Sequence, residues 1–153
     1  MAIRLGLLRH GLASGQEPEA ALLEVGARGI RRLAARLRTE GWHFTAAYSS
    51  PFRRARETAT LMLAATEPGL VPMHLTELAP EADAGMAHAA LRALAGRTGD
   101  ILVVSHLPLI ARLAREITGG TWDFKPGTWL EIAIEGDAWC GTPMRRLEPD
   151  DSN

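Results

Sequence analysis

Residues 100–106 read Asp-Ile-Leu-Val-Val-Ser-His. The apolar run from Ile101 to Val104, closed by Ser105 and His106, predicts a short buried strand. A second run, Ile3 to Leu8, ends in the same manner at Arg9-His10-Gly11 and predicts a strand followed by a turn. Between the two runs the pattern alternates. Ala13 to Ala20 is a polar loop. Ile30, Leu33, Ala34 and Leu37 fall at i, i+3, i+4 and i+7, one apolar face of a helix, with Gly41 as its stop. Thr45–Ser49 predicts a second strand. Ser50-Pro51 then opens a helix, with Ser as N-cap and Pro in the first turn, that runs to about Ala65. Leu70–Leu75 predicts a third strand, short or at an edge because it contains Pro72. An acidic loop, Pro80–Gly85, leads to an Ala-rich helix, Met86–Ala95.

After His106 the alternation continues and then changes character. Pro108 starts a helix whose Leu107, Ile110, Ala114 and Ile117 share a face, ended by Gly119-Gly120. Thr128–Ile134, a turn at Glu135-Gly136-Asp137, and Trp139–Leu147 predict an antiparallel hairpin. Strands that alternate with helices imply a mostly parallel sheet covered on both faces. The expected fold is therefore α/β: a three-layer sandwich with a C-terminal antiparallel hairpin. The chain shows no internal repeat or linker, so residues 1–153 read as one domain, with 148–153 as a flexible polar tail.

Composition narrows the function. Seventeen basic residues against 18 acidic ones give a formal charge of −1, which argues against a nucleic-acid wrapper and leads us to expect no nucleic-acid partner. No apolar run reaches the roughly 18–20 residues of a membrane-spanning helix. Arg4 and Arg9 interrupt the apolar N-terminus as no secretory signal would, so no membrane association is expected. Cys140 is the sole cysteine, which excludes an intrachain disulfide and a Cys-built zinc site and fits a reducing cytoplasm. All the basic residues but Lys125 are Arg, so the abundance of Arg carries no message and only its position does.

Position is informative. Ligands of open parallel sheets bind at the carboxyl ends of the strands. Arg9 and His10 follow the first strand, His106 follows the strand at 100–105, and Ser-Ser-Pro-Phe-Arg-Arg-Ala-Arg-Glu-Thr-Ala (49–59) forms another strand-to-helix junction at that edge. Two histidines and at least two arginines at one rim describe an anion site, because guanidinium forks match phosphate oxygens and a helix N-terminus adds N–H donors. A zinc site on the same histidines would need a third ligand that the spacing does not supply, so neither metal nor cofactor is expected.

Leu-Leu-Arg-His-Gly (7–11), Ser-Ser-Pro-x-x-Arg-Ala-x-x-Thr-Ala (49–59) and Val-Ser-His-Leu-Pro-Leu (104–109) together resemble the histidine phosphatase superfamily, the phosphoglycerate mutase-like proteins. The small size, the SHLPL segment, the absence of a long insertion and the stretch Leu22–Gly26 before the first helix resemble its SixA-type phosphohistidine phosphatase branch. The resemblance spans Ile3 to about Gly119. It implies that His10 is the nucleophile and forms a phosphohistidine intermediate, that Arg9 and Arg54 bind the phosphoryl group, and that His106 also faces it. Those roles are physically sound. A neutral imidazole can attack phosphorus and divide one hard displacement into two, and fixed cations stabilise the charge on the equatorial oxygens. Gly11 lets the chain turn near the phosphate. Ser14, Gln16 and Arg53 are candidate substrate contacts at the rim.

The sequence departs from the family in two places. Leu12 stands where relatives often have a polar residue. The slot in which larger relatives carry a general-acid Glu corresponds here to Ala79 or Pro80, leaving Glu81, Asp83 and Glu77 as neighbouring candidates. A missing acid favours phosphohistidine over phosphate esters, since a departing imidazole takes up a proton near neutral pH and an alkoxide needs one supplied. Three readings therefore remain: a phosphatase acting on phosphohistidine in a partner protein, a phosphomonoesterase acting on a small phosphate ester, and a phosphate-binding module without turnover. His43, His74 and His88 read as surface residues, Trp122 and Trp129 as packing, and Ser105 as a structural residue ahead of the next helix.

Overall fold

The computed structural model describes residues 2–149. Along the chain run β1 (Ala2–Arg9), α1 (Glu24–Thr39), β2 (Phe44–Ser49), α2 (Arg53–Thr66), β3 (Met73–His74), a 3₁₀ turn (Thr76–Leu78), α3 (Ala84–Leu94), β4 (Gly99–Ser105), α4 (Leu109–Thr118), β5 (Trp129–Glu135) and β6 (Cys140–Leu147). The strands form one six-stranded sheet in the order β3-β2-β4-β1-β5-β6. β1, β4, β2 and β3 are parallel, and β5 and β6 add an antiparallel edge. This is the α/β sandwich expected from the alternation, with its C-terminal hairpin.

Strand geometry splits the core into two layers, because successive side chains leave opposite faces. Leu5, Leu7, Ile101 and Val103 join Leu91 of α3 and Ile110, Leu113 and Ile117 of α4. Leu8, Leu102 and Val104 join Ile30, Leu33 and Leu37 of α1 and Met62 and Leu63 of α2. Trp129 is fully buried in the second layer, edge-on to Trp42 at 5.1 Å. α1 ends where Gly41 takes φ +88°. Its N–H bonds to Arg38 O and that of Trp42 to Leu37 O, a closing motif that needs a left-handed residue between them.

Several boundaries differ from the sequence reading. α2 begins at Arg53, after Ser50-Pro51, and no side chain caps it. The Arg53 N–H instead donates to Pro18 O in the loop between β1 and α1, and the Ser50 hydroxyl is engaged with His106. The third strand shrinks to two residues at the sheet edge, beyond Pro72. α3 starts two residues before Met86 because Asp83 caps it, accepting from the Met86 N–H at 2.9 Å. Leu22–Gly26 does not precede α1 but runs into its first turn. Of the expected tail, Glu148 accepts from Arg146 at 2.6 Å and so is tied to β6, while residues 150–153 lie outside the described part.

Candidate active site

Strand register brings the motifs together. Arg9 at the end of β1 pairs with Ser105 at the end of β4, and Ser49 at the end of β2 pairs with Val104. The next residues, His10, His106 and Ser50, therefore emerge side by side at the carboxyl edge. The His10 N–H donates to Ser105 O at 3.1 Å and the Ser50 N–H to Val104 O at 3.0 Å, so the backbone stays paired just past the strands. The His10 and His106 rings lie 4.9 Å apart, centroid to centroid. Arg9, His10, Arg54 and His106 all line one cavity of about 780 Å³, within the usual range for ligand pockets.

Hydrogen bonds fix the chemistry of His10. Its Nδ1 lies 2.7 Å from Gly11 O, a group that only accepts, so Nδ1 carries the hydrogen. Nε2 then holds the lone pair and accepts from Arg54 Nε at 3.2 Å. Burial, reinforced by the Arg54 and Arg9 charges against the opposing Gly11 carbonyl, lowers the His10 pKa to about 4. Burial first, then His10, Arg54 and Arg9, lower that of His106 to about 3. Both rings are neutral at pH 7, as a nucleophile requires, and the two guanidinium groups give the site its positive charge. Burial and the neighbouring Arg54 also lower the Arg9 pKa, which leaves that guanidinium charged in the neutral range.

Each arginine is held from behind. Arg9 donates through Nη1 to Phe124 O at 2.8 Å, and its buried Nε has no partner among the described residues. Arg54 donates through Nη1 to the carbonyls of Gln16 and Glu17, each at 3.1 Å. Those carbonyls belong to the loop between β1 and α1. An Ala13–Leu22 bridge pins this loop, as does the Leu22 N–H bonded to Glu57 Oε1 at 2.9 Å. It also lies tightly on α1: a Cβ on Gly26 would come within 2.3 Å of Leu12 O. Gly11 has the same purpose. A side chain there would press on α1 at Gly26 O, 3.1 Å away, so its missing Cβ serves loop-to-helix packing.

The other sequence candidates divide. Ser14 and Gln16 line the cavity. Arg53 does not; it faces the outer side of α2, with Nε 3.5 Å from Glu57 in an i,i+4 pair, and borders a separate groove with Arg31 and Arg56. Of the three carboxylates only Glu81 lines the cavity, where it is exposed. Asp83 is engaged as the α3 cap, and Glu77 accepts from its neighbour Thr76 at 3.1 Å without reaching the cavity. Ser105 donates to Leu78 O at 2.7 Å, a tie to the 3₁₀ turn. His43 and His74 are exposed, and His88 is half-buried against Trp139 O at 2.7 Å.

Two buried residues received no site role from the sequence. Thr58 Oγ1 accepts from the Gly11 N–H at 3.1 Å and donates to Arg54 O at 2.8 Å, joining the nucleophile loop to α2. Ser50 Oγ lies 2.7 Å from His106 Nε2. Both stand inside the motif 49–59, which is the signal that could have marked them. Phe52 completes the wall, edge-on to His106 at 5.1 Å and beneath Arg54 at 5.2 Å. Among the described residues no group of three or more His, Cys, Asp or Glu is arranged to hold a metal ion, and no helix is long and apolar enough to cross a membrane.

A family model for the histidine phosphatase superfamily (branch 1) matches residues 5–90, more than half of the chain. The chain belongs to the histidine phosphatase superfamily. An uncharacterized protein of Picosynechococcus sp. is 32% identical over 124 residues, spanning 77% of this chain and 74% of its own. Among solved structures, the protein histidine phosphatase SixA complexed with tungstate superposes with a TM-score of 0.90 at 25% identity, over 98% of this chain and 99% of that one. The candidate phosphohistidine phosphatase SixA of Nakamurella multipartitia gives 0.81 at 21% identity, over 97% of each chain.

Proposed function

We propose that this superfamily member is a phosphatase that hydrolyses a phosphoryl group through a covalent phosphohistidine on His10, and that its substrate is phosphohistidine on a partner protein. The observation that carries the proposal is the His10 Nε2 lone pair, fixed by the Gly11 carbonyl and placed 3.2 Å from Arg54 Nε in a cavity shared with Arg9 and His106. In the first step Nε2 attacks phosphorus, the His10–phosphorus bond forms, and the bond to the leaving nitrogen breaks with a proton taken up by that nitrogen. In the second, water attacks the phosphorus and His10 leaves. Arg9 and Arg54 neutralise the oxygens throughout, which is why the proposal includes no metal. The likeness to a SixA that takes up tungstate, a tetrahedral oxyanion like phosphate, supports an anion-binding reading of the cavity. Exposed Leu12 and Leu107 at its rim suit a substrate on a protein surface. The exposed Cys140 suits a reducing cytoplasm as the site of action.

A second reading rests on Glu81. As the one carboxylate among the described residues that lines the cavity, it would serve as proton donor to a small phosphate ester. Rates on a phosphohistidine-bearing protein, an aryl phosphate and an alkyl phosphate separate the two. The proposal expects that order of decreasing rate, since an ester without a general acid forfeits about 10²–10⁴-fold. Rapid alkyl phosphate turnover that Glu81→Gln lowers by two orders of magnitude would establish the second reading in its place. An absence of turnover on all three, with anion binding retained, would indicate a binding module.

A further inference from the structure

We infer that Ser50 is a positioning residue that sets the tautomer of His106, so that the neutral ring keeps its hydrogen on Nδ1 as a donor to the transferring phosphoryl group. The identity of that acceptor rests on the phosphatase reading; the tautomer rests on hydrogen-bond geometry alone. Ser50 and His106 are 0% and 1% exposed, so neither relies on solvent. Ser50 Oγ accepts from the Phe52 N–H at 3.2 Å and lies 2.7 Å from His106 Nε2. Its single hydrogen has no other acceptor among the described residues. With that hydrogen donated to Nε2, the ring nitrogen is an acceptor, and a neutral imidazole then carries its own hydrogen on Nδ1.

The alternative tautomer fits less well. An Nε2–H donating to Ser50 would strand the buried hydroxyl hydrogen and leave a lone pair on Nδ1, in a ring that lines an anion cavity. In the first arrangement the Ser50–His106 pair leaves one of its own polar groups unpaired, His106 Nδ1, which has no partner among the described residues. A buried orphan donor beside two arginines is what an absent oxyanion would satisfy. His10 and His106 are then the same tautomer put to opposite uses. His10 directs Nδ1–H to Gly11 and keeps the Nε2 lone pair for attack; His106 directs its Nε2 lone pair to Ser50 and keeps the Nδ1 hydrogen for the ligand.

Long-range proton–nitrogen correlation spectra of the full chain with ¹⁵N-labelled histidine, at neutral pH and without ligand, test this directly. Wild-type His106 should show a protonated Nδ1 and a pyridine-type Nε2; the reverse pattern overturns the inference. Ser50→Ala should shift His106 toward the Nε2–H form while His10, held by Gly11, keeps its pattern and reports that the site is intact. Ser50→Thr, which retains a hydroxyl, should restore the wild-type pattern. An unchanged His106 in Ser50→Ala overturns the role of Ser50. Should Ser50→Ala not fold, the wild-type spectrum still decides. The same variant should lose about tenfold or more in kcat, short of the 10²–10³-fold of a deleted oxyanion donor; a switched tautomer with unchanged kcat would overturn the donor role. If the phosphatase reading itself fails, wild-type turnover is absent while the tautomer result stands.

Discussion

Acidification should destabilise this protein through His10, by an amount the site geometry sets. In the folded chain the imidazole is buried beside two guanidinium groups and its pKa falls from 6.5 to about 4. In the unfolded chain it titrates near its ordinary value. Between those two values the unfolded chain binds a proton that the folded chain refuses. The stabilising contribution is therefore complete above pH 6.5 and is lost as the pH falls toward about 4. At about 1.4 kcal/mol for each pH unit, His10 alone accounts for about 3 kcal/mol across that window. Urea unfolding of the wild type and of His10→Asn, at steps between pH 6.5 and 4, isolates the effect, because the remaining groups, His106 among them, are present in both proteins. The wild type should lose about 3 kcal/mol more than the variant. Saturating tungstate should shrink the wild-type loss by raising the folded-state His10 pKa toward its ordinary value, since an anion offsets the Arg9 and Arg54 charges. A difference between wild type and variant that stays flat across the window would refute the reasoning.

Arg54→Lys should lower kcat by about 10²–10³-fold, because a lysine cannot hold the Gln16 and Glu17 carbonyls while donating to His10 Nε2; steady-state kinetics against Arg54→Ala check this. Gly26→Ala should cost about 1–3 kcal/mol in chemical denaturation, since its Cβ would come within 2.3 Å of Leu12 O. Asp83→Ala should cost about 1 kcal/mol through loss of the α3 cap and leave phosphohistidine turnover unchanged. Dialysis against a chelator should leave activity intact, with the two arginines carrying the charge a metal would otherwise bring; a loss that Mg²⁺ or Zn²⁺ restores would contradict this.

The sheet and the heart of the site were legible in the sequence for one physical reason. Apolar runs ending in Arg9-His10 and Ser105-His106 specify strands by burial, and parallel pairing of such strands leaves their following residues at one edge. What the sequence withheld depends on long-range backbone bonds. Nothing local indicates that Pro18 O takes the Arg53 N–H, or that Gln16 and Glu17 carbonyls hold Arg54, because a carbonyl has no residue identity to read. Ser50-Pro51 carries a genuine helix-start signal, yet the hydroxyl serves His106 and the helix begins later. Asp83 read as a candidate acid in a loop, whereas its side chain caps α3, which starts two residues earlier than the composition suggested. Residues 70–75 have the composition of a strand, but β2 offers pairing to Met73 and His74 alone.

The central claim is that His10 becomes phosphorylated during turnover. Rapid quench with a phospho-donor carrying labelled phosphate, followed by peptide mapping, tests it most directly. The label should sit on His10, acid-labile and base-stable as a phosphorus–nitrogen bond is, and should vanish together with turnover in His10→Ala. Label retained in His10→Ala, or turnover with no label on His10 at any quench time, would contradict the account.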